Sequence, residues 1–298
     1  MLTPEFIRKG DKIGIVSTAR KIIPKEITEA IELLKTWGLE PVLGATIGKE
    51  YNQFAGSDQE RAGDFQSMLD NDEIRAIWCA RGGYGTVRII DKIDFSKFCR
   101  NPKWIIGYSD ITVLHAHIHN FGVQSLHAAM PIDIHKGTDA SRNSLRDVLF
   151  GKKLIYEISS KKKNRLGAAK GQLIGGNLSI LYSLCGSESS IDTSGKILCI
   201  EDLDEYLYHI DRMLQNLKRN GYFENLAGLI VGGMTKMHDN NIPFGKNAKK
   251  IILDITKEYR FPVAFNFPMG HIEDNRALVF GAEASLEVLK DNVKFTYI

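Results

Sequence analysis

What this chain lacks narrows it first. Its 39 Lys and Arg nearly balance 36 Asp and Glu, leaving a net charge of +3 with the signs interspersed. That excludes the basic footprint of a nucleic-acid binder and a polybasic membrane segment. No stretch approaches the roughly 20 apolar residues needed to span a bilayer, and the opening Met1–Gly10 has no apolar signal core. The four cysteines (Cys79, Cys99, Cys185, Cys199) show no CxxC spacing, and Cys79 and Cys199 fall in apolar, strand-like runs, as reduced core thiols do. Internal repeats and low-complexity segments are missing. The one basic run, Lys161-Lys162-Lys163, sits among polar and glycine residues as a solvated linker. What remains is a soluble cytoplasmic protein of 298 residues, 43% apolar, long enough for about two domains.

Strand and helix signals alternate through the first half. Lys12–Ser17 is a short apolar run, followed by a helical pattern over Lys25–Trp37 with Ile27, Ile31 and Leu34 on one face and a stop at Gly38. Pro41–Leu43, Ala76–Ala80, Trp104–Gly107 and Gln124–His127 read as further strands. Ser57-Asp58-Gln59-Glu60 has capping-box spacing and opens a helix to about Leu69. This alternation predicts a doubly wound, mainly parallel sheet over residues 1–150, whose ligands sit at the carboxyl ends of the strands. Residues 151–170 turn polar and Lys-rich and are expected to connect to a smaller β-rich domain over 171–298. There, strands are expected at Ile197–Ile200, Leu229–Val231, Pro262–Phe265, Ala277–Phe280, Ser285–Val288 and Val293–Tyr297, with helices over Tyr206–Asn220 and Asn247–Tyr259.

The chemistry concentrates at strand ends. Gly107-Tyr108-Ser109-Asp110 joins an apolar run to a helical segment, so Ser109 would stand clear of both with the next amide and a helix N-terminus beside it. A plain helix cap explains the same turn, and the second glycine of a lipase-type elbow is replaced by Ile111. Arg81-Gly82-Gly83-Tyr84-Gly85 is a poor dinucleotide fingerprint, because Arg88 stands at the third glycine position. As a strand-end turn, it offers backbone amides for an oxyanion. Among eight histidines, His115 and His119 share a helix face that could hold a metal, against a reading as packing residues, and no HExxH accompanies them. His271 lies in a polar loop entered by Gly270, and Glu201-Asp202 ends an apolar strand where an acid can orient an imidazole or cap the next turn.

Together, RGGYG, GYSDIT, IEDLDEYLYHIDRML and FPMGHIEDNRALVFG, in this order and preceded by GDKIGIVS, resemble the serine LD-carboxypeptidase family, which takes in murein tetrapeptide carboxypeptidases and microcin-immunity-type peptidases. The resemblance covers nearly the whole chain. It implies a flavodoxin-like N-terminal domain, a β-rich swivelling-type C-terminal domain, an active site between them and a homodimer. It assigns Ser109 as nucleophile, His271 as general base, Glu201 as its orienting carboxylate, and the Gly83 and Asp110 amides as the oxyanion hole. Arg81 and Tyr84 become candidates for substrate binding, Arg81 through the terminal carboxylate.

Two motifs depart from the family pattern. His-Gly-Pro is replaced by His127-Ala128-Ala129-Met130-Pro131, and Tyr-Arg-Ile-Asp-Arg by Tyr208-His209-Ile210-Asp211-Arg212. The implied activity is hydrolysis of the amide between an L-centre and a terminal D-amino acid, releasing D-Ala from murein tetrapeptide, without metal or organic cofactor. One alternative is a self-immunity hydrolase of a peptide- or aminoacyl-nucleotide antibiotic, with Trp104 or Tyr84 available to stack the base. Another is a non-catalytic module binding a nucleotide or small ligand.

Overall fold

The computed structural model describes residues 1–159 and 164–298, so the basic run at 161–163 lies outside the described residues. The chain forms two compact units. The first comprises Met1–Lys153 and Glu273–Val279, the second Leu154–Ile272 and Phe280–Ile298. The expected connection over 151–170 is therefore corrected: Ile155–Ser159 and the start of Gly167–Asn177 are strands of the second unit's sheet. The return of 273–279 to the first unit is equally unanticipated, because the tail reads as one unbroken series of short strands.

In the first unit, β1 (Lys12–Val16), β2 (Glu40–Leu43), β3 (Ile74–Cys79), β4 (Trp104–Gly107) and β5 (Ser125–His127) form a parallel array in the order 2-1-3-4-5. A later strand, β11 (Leu278–Phe280), lies outside β5. This is the doubly wound order. The inner strands are largely buried because helices cover both faces of such a sheet, and Ile13, Ile15, Ile77, Trp78 and Ile105 are all at most 1% exposed, while the edge strand β2 has no buried residue. Helix α1 (Thr28–Thr36) follows a short 3-10 turn at Pro24–Ile27, so the expected single helix is two pieces. Helix α2 (Asp58–Asp70) starts as its sequence requires: Ser57 Oγ accepts from the Glu60 amide, and Glu60 reaches back to the Ser57 amide at 2.8 Å. Such a cap contributes about 1 kcal/mol. Helices α3 (Ser96–Arg100), α4 (Thr112–Asn120) and α5 (Asp139–Leu149) complete the unit.

The second unit is the shorter. Its sheet has seven strands, in the order β10 (Val263–Phe265), β9 (Gly228–Thr235), β8 (Ile197–Leu203), β7 (Gly167–Asn177), β12 (Glu283–Val288), β13 (Asn292–Tyr297), β6 (Ile155–Ser159). Strands β7 to β10 run parallel and β12, β13 and β6 antiparallel, so the sheet is mixed. Helices α6 (Leu178–Leu184), α7 (Leu207–Arg219) and α8 (Ala248–Ile255) join the parallel strands. Central β8 is buried from Ile197 to Asp202, which delivers Glu201 into a dry environment at the strand's carboxyl end. Among the described residues no helix is long and apolar enough to cross a membrane.

Candidate active site

At the end of β4 the backbone turns sharply, and Ser109 takes φ 62°, a left-handed conformation that side-chain-bearing residues rarely adopt. Such a strained residue costs on the order of 1–3 kcal/mol and persists only where its surroundings enforce it. Two sets of contacts do so. From within α4, His115 Nε2 donates to the Gly107 carbonyl at 2.9 Å while its Nδ1 accepts from Ser125 Oγ at 2.8 Å. Burial pushes the His115 imidazole down to about 3, so the ring is neutral and one tautomer satisfies both bonds. Both ring nitrogens are thus occupied by protein groups, and the packing reading of this residue holds over the metal one. On the other side, the fully buried Asp110 accepts the Thr86 amide at its Oδ2, at 2.9 Å.

The RGGYG turn lies against this elbow. A methyl group on Gly82 would sit 3.2 Å from Ser109 Cβ and 3.4 Å from the Asp110 amide nitrogen, so the loop backbone passes directly over the serine. Gly83 has φ 107°, and a side chain there would collide with Arg20. The departure at residues 127–131 borders the same place: Met130 Cε would be 3.4 Å from a Gly82 methyl, and Ala129 O accepts from Trp78 Nε1 at 2.9 Å. Arg81 is half-buried, donates to the Lys21 carbonyl at 3.3 Å, and lines a groove of about 250 Å³ with Lys21, Lys49, Glu26 and Glu50. Tyr84 is exposed, its ring 6.1 Å from that of Phe54. Trp104, a candidate for base stacking, is corrected. It is 1% exposed, stacked on Phe6 at 6.4 Å, with its indole N–H donated to Glu5 O, because β4 is an interior strand.

In the second unit, Glu201 and His271 meet although 70 residues separate them. Glu201 Oε2 lies 2.6 Å from His271 Nδ1 and accepts the His271 backbone N–H at 3.2 Å. With Nδ1–H donated to the carboxylate, Nε2 is the ring's basic nitrogen. Glu201 is fully buried, while the His271 side chain is 16% exposed. Gly270 makes the approach possible: its φ is 91°, and a Cβ would fall 2.5 Å from Glu201 Cγ. Asn177 Nδ2 donates to Glu201 Oε1 at 3.2 Å and to Asp202 Oδ1 at 3.0 Å. Burial, aided by the Glu201 charge, raises Asp202 to about 7 against the pull of its N–H donors.

Of the predicted residues, Ser109, Asp110, Gly83, Arg81 and Tyr84 lie in the first unit and Glu201 and His271 in the second. Sequence reasoning missed Asn177, Thr86 and Arg61. Asn177 carries a detectable signal, as an N-cap before an apolar helix; the buried role of Arg61 has none, since it lies in a polar helical stretch.

A doubly wound sheet with a serine strained into the turn after its fourth strand, joined to a mixed sheet holding a histidine–carboxylate pair, defines a two-unit α/β protein with the parts of a hydrolase. Comparison with known proteins narrows that class. Residues 13–128 match the LD-carboxypeptidase N-terminal domain and residues 170–286 the LD-carboxypeptidase C-terminal domain. The chain belongs to the LD-carboxypeptidase family. A probable murein peptide carboxypeptidase of Bacillus subtilis is 37% identical over 295 residues, 95% of this chain and 91% of that protein. The microcin C7 self-immunity protein of Escherichia coli is 26% identical, covering 96% of this chain and 93% of its own length. The crystal structure of a muramoyltetrapeptide carboxypeptidase from Oxalobacter formigenes superposes with a TM-score of 0.88 at 26% identity, covering 96% of this chain and 98% of that one.

Proposed function

We propose that this protein is a serine-type LD-carboxypeptidase that releases D-Ala from murein tetrapeptide. The observation that carries the serine assignment is the left-handed φ of 62° at Ser109, with Gly82 of the RGGYG turn packed against it. Ser109 Oγ attacks the carbonyl of the L-configured centre while His271 Nε2 takes its proton. Glu201 holds the imidazole in the Nδ1–H tautomer and stabilises the imidazolium. The Gly83 and Asp110 amides receive the negative charge that develops on the carbonyl oxygen. His271 then protonates the departing D-Ala amine, and a water activated by the same nitrogen hydrolyses the acyl-serine. Arg81 is the residue we assign to a substrate carboxylate, since its fork can bind one bidentately, with Tyr84 as its exposed neighbour.

The same reading carries a cytoplasmic homodimer, tested by cell fractionation and by light scattering on the eluting protein. The similarity to the microcin C7 self-immunity protein supports a second substrate class, the amide of a peptide- or aminoacyl-nucleotide. With Trp104 buried, Tyr84 is the remaining candidate for stacking its base. Mass spectrometry of murein tetrapeptide incubated with wild type and with Ser109→Ala decides. Loss of one D-Ala mass with wild type alone supports the reading. An untouched tetrapeptide with folded protein rejects it and moves the assay to aminoacyl-nucleotide amides. Biological activity that survives Ser109→Ala points instead to the non-catalytic module.

A further inference from the structure

The side chains of a cluster buried in the first unit take no direct part in the catalytic roles assigned above. The peptide joining Gly85 to Thr86 is gripped at both ends. Its carbonyl accepts from Arg61 Nη1 at 2.9 Å, and its N–H donates to Asp110 Oδ2 at 2.9 Å. Arg61, Thr86 and Asp110 are each 0% exposed. Arg61 also donates to the carbonyls of Thr18 and of Gly56, the latter at 3.3 Å, and pairs with Asp58. Asp58 in turn takes both Nε and Nη2 of Arg88, at 2.9 and 2.8 Å. Thr86 Oγ1 is 2.9 Å from Thr18 Oγ1. A buried carboxylate and a buried guanidinium that lacked such partners would be strongly destabilising. Here Arg61 and Asp110 Oδ2 are held largely by the backbone of one loop or of its neighbours, while the buried Asp110 Oδ1 has no hydrogen-bond partner among the described residues. That loop is the one whose other end packs on Ser109.

We propose that the Asp110 carboxylate and Arg61 are positioning residues for the oxyanion donors. By holding opposite ends of the Gly85–Thr86 peptide, they fix the Gly83 amide relative to the amide of Asp110. Asp110 thus has two separate functions, its backbone N–H as a donor and its side chain as the clamp that places the other donor. Burial is the main influence on this carboxyl and raises it, while N–H donation from Thr86 and Gly85 and the Arg61 charge act the other way. Two side-chain hydrogen bonds at opposite ends of a single peptide, one from a guanidinium, resist rotation of that peptide in a way that one bond does not.

The inference rests on the serine-hydrolase reading, and its test separates the two. The probe is a boronic acid in which boron replaces the scissile carbonyl carbon of the murein peptide. Ser109 Oγ adds to boron, its proton passes to His271, and the tetrahedral boronate presents an oxygen to the two amides. The tripeptide product serves as the ground-state control. Asp110→Asn keeps the shape and the backbone N–H but replaces the carboxyl by an amide, which can turn an N–H towards the Thr86 amide. It is expected to lower kcat about 10- to 100-fold and to raise the boronate Ki by the same factor. KM and the tripeptide Kd should stay within about twofold. Arg61→Lys, which retains charge but loses the fork, reads the other end of the peptide and is expected to shift the same two constants in the same direction. It also keeps the test decisive if Asp110→Asn does not fold. Equal boronate affinity in wild type and variants, or an equal loss of tripeptide affinity, overturns the clamp and leaves the serine assignment standing. Wild type that neither turns over tetrapeptide nor binds the boronate overturns the serine assignment and the clamp with it.

Discussion

Glu201 accepts two N–H groups from His271 on one oxygen, the ring Nδ1–H at 2.6 Å and the backbone amide at 3.2 Å. A single side-chain contact would set only the ring's tilt. The double contact ties the ring to its own backbone through the carboxylate, which fixes the position of His271 as well as its tautomer. A fully buried Glu201, with Asn177 on its second oxygen, has little freedom to follow any other partner.

Glu201→Gln is therefore expected to retain the fold and lose the reaction. A glutamine can accept only through its carbonyl oxygen, and its amide would present N–H to one of the same donors. By analogy with other triads, kcat should fall about 10³- to 10⁴-fold with KM little changed. Steady-state kinetics on the tetrapeptide, with circular dichroism to verify folding, measures this. A loss under tenfold would remove Glu201 from the orienting role.

Gly270→Ala tests the backbone that allows the pair. The added methyl would meet Glu201 Cγ and Oε2, both at 2.5 Å, on a residue with φ 91°. Overpacking of this kind, with the φ penalty, is expected to destabilise the protein by about 2–3 kcal/mol and to displace the carboxylate. Urea denaturation and kcat should both report it. An unaltered kcat in a destabilised variant would show that Glu201 relaxes without disturbing His271.

What could be read from the sequence was what local chemistry determines. The Ser57–Glu60 box fixed the start of α2, and β4 follows the expected boundaries from Trp104 to Gly107. The elbow and the glycine turn were recognisable because each is contiguous in the chain. Strand β7 was missed because Gly-Ala-Ala-Lys-Gly-Gln-Leu-Ile-Gly-Gly-Asn has little strand propensity; it is held by β8 over 173–177 and by β12 over 167–172, contacts distant in sequence. Gly232 and Gly233 suggested the end of a strand, yet β9 continues to Thr235. The glycines are there because the 267–270 segment passes closely: a Gly232 methyl would lie 2.4 Å from Met269 Cγ, and Gly233 N donates to Met269 O. The triad candidates could be named from motifs, but the Glu201–His271 contact and the burial of Arg61 are products of packing, which no local pattern encodes.

His115 predicts an acid limb in stability. Its folded pKa is lowered to about 3 by burial, whereas the unfolded imidazole titrates near 6.5. Between those values the unfolded chain binds a proton that the folded one does not, so stability falls as pH drops from about 6.5 towards 3, by up to about 1.4 kcal/mol per pH unit. Above pH 7 this contribution is complete. His115→Gln, which can still donate to the Gly107 carbonyl, should be less stable than wild type at pH 7.5 and show a flatter profile below pH 6. Denaturation series at pH 4.5, 6 and 7.5 compare the two, and parallel profiles would mean that His115 charges without penalty.

The strain at Ser109 predicts a division between stability and activity that ordinary truncation of a serine would not produce. A left-handed φ of 62° is unfavourable for any residue with a Cβ and open to glycine. Ser109→Gly should therefore relieve the turn and stabilise the protein by about 1 kcal/mol, while Ser109→Ala keeps the Cβ and gains nothing. Both variants lose the hydroxyl, so both should lose the hydrolase activity. Thermal denaturation of the three proteins side by side distinguishes the cases. A gain confined to glycine means that the fold stores energy at Ser109 to present it against Gly82, as the proposed nucleophile requires. Equal midpoints for glycine and alanine would mean that the turn carries no strain worth relieving, and the case for Ser109 would then rest on chemistry alone.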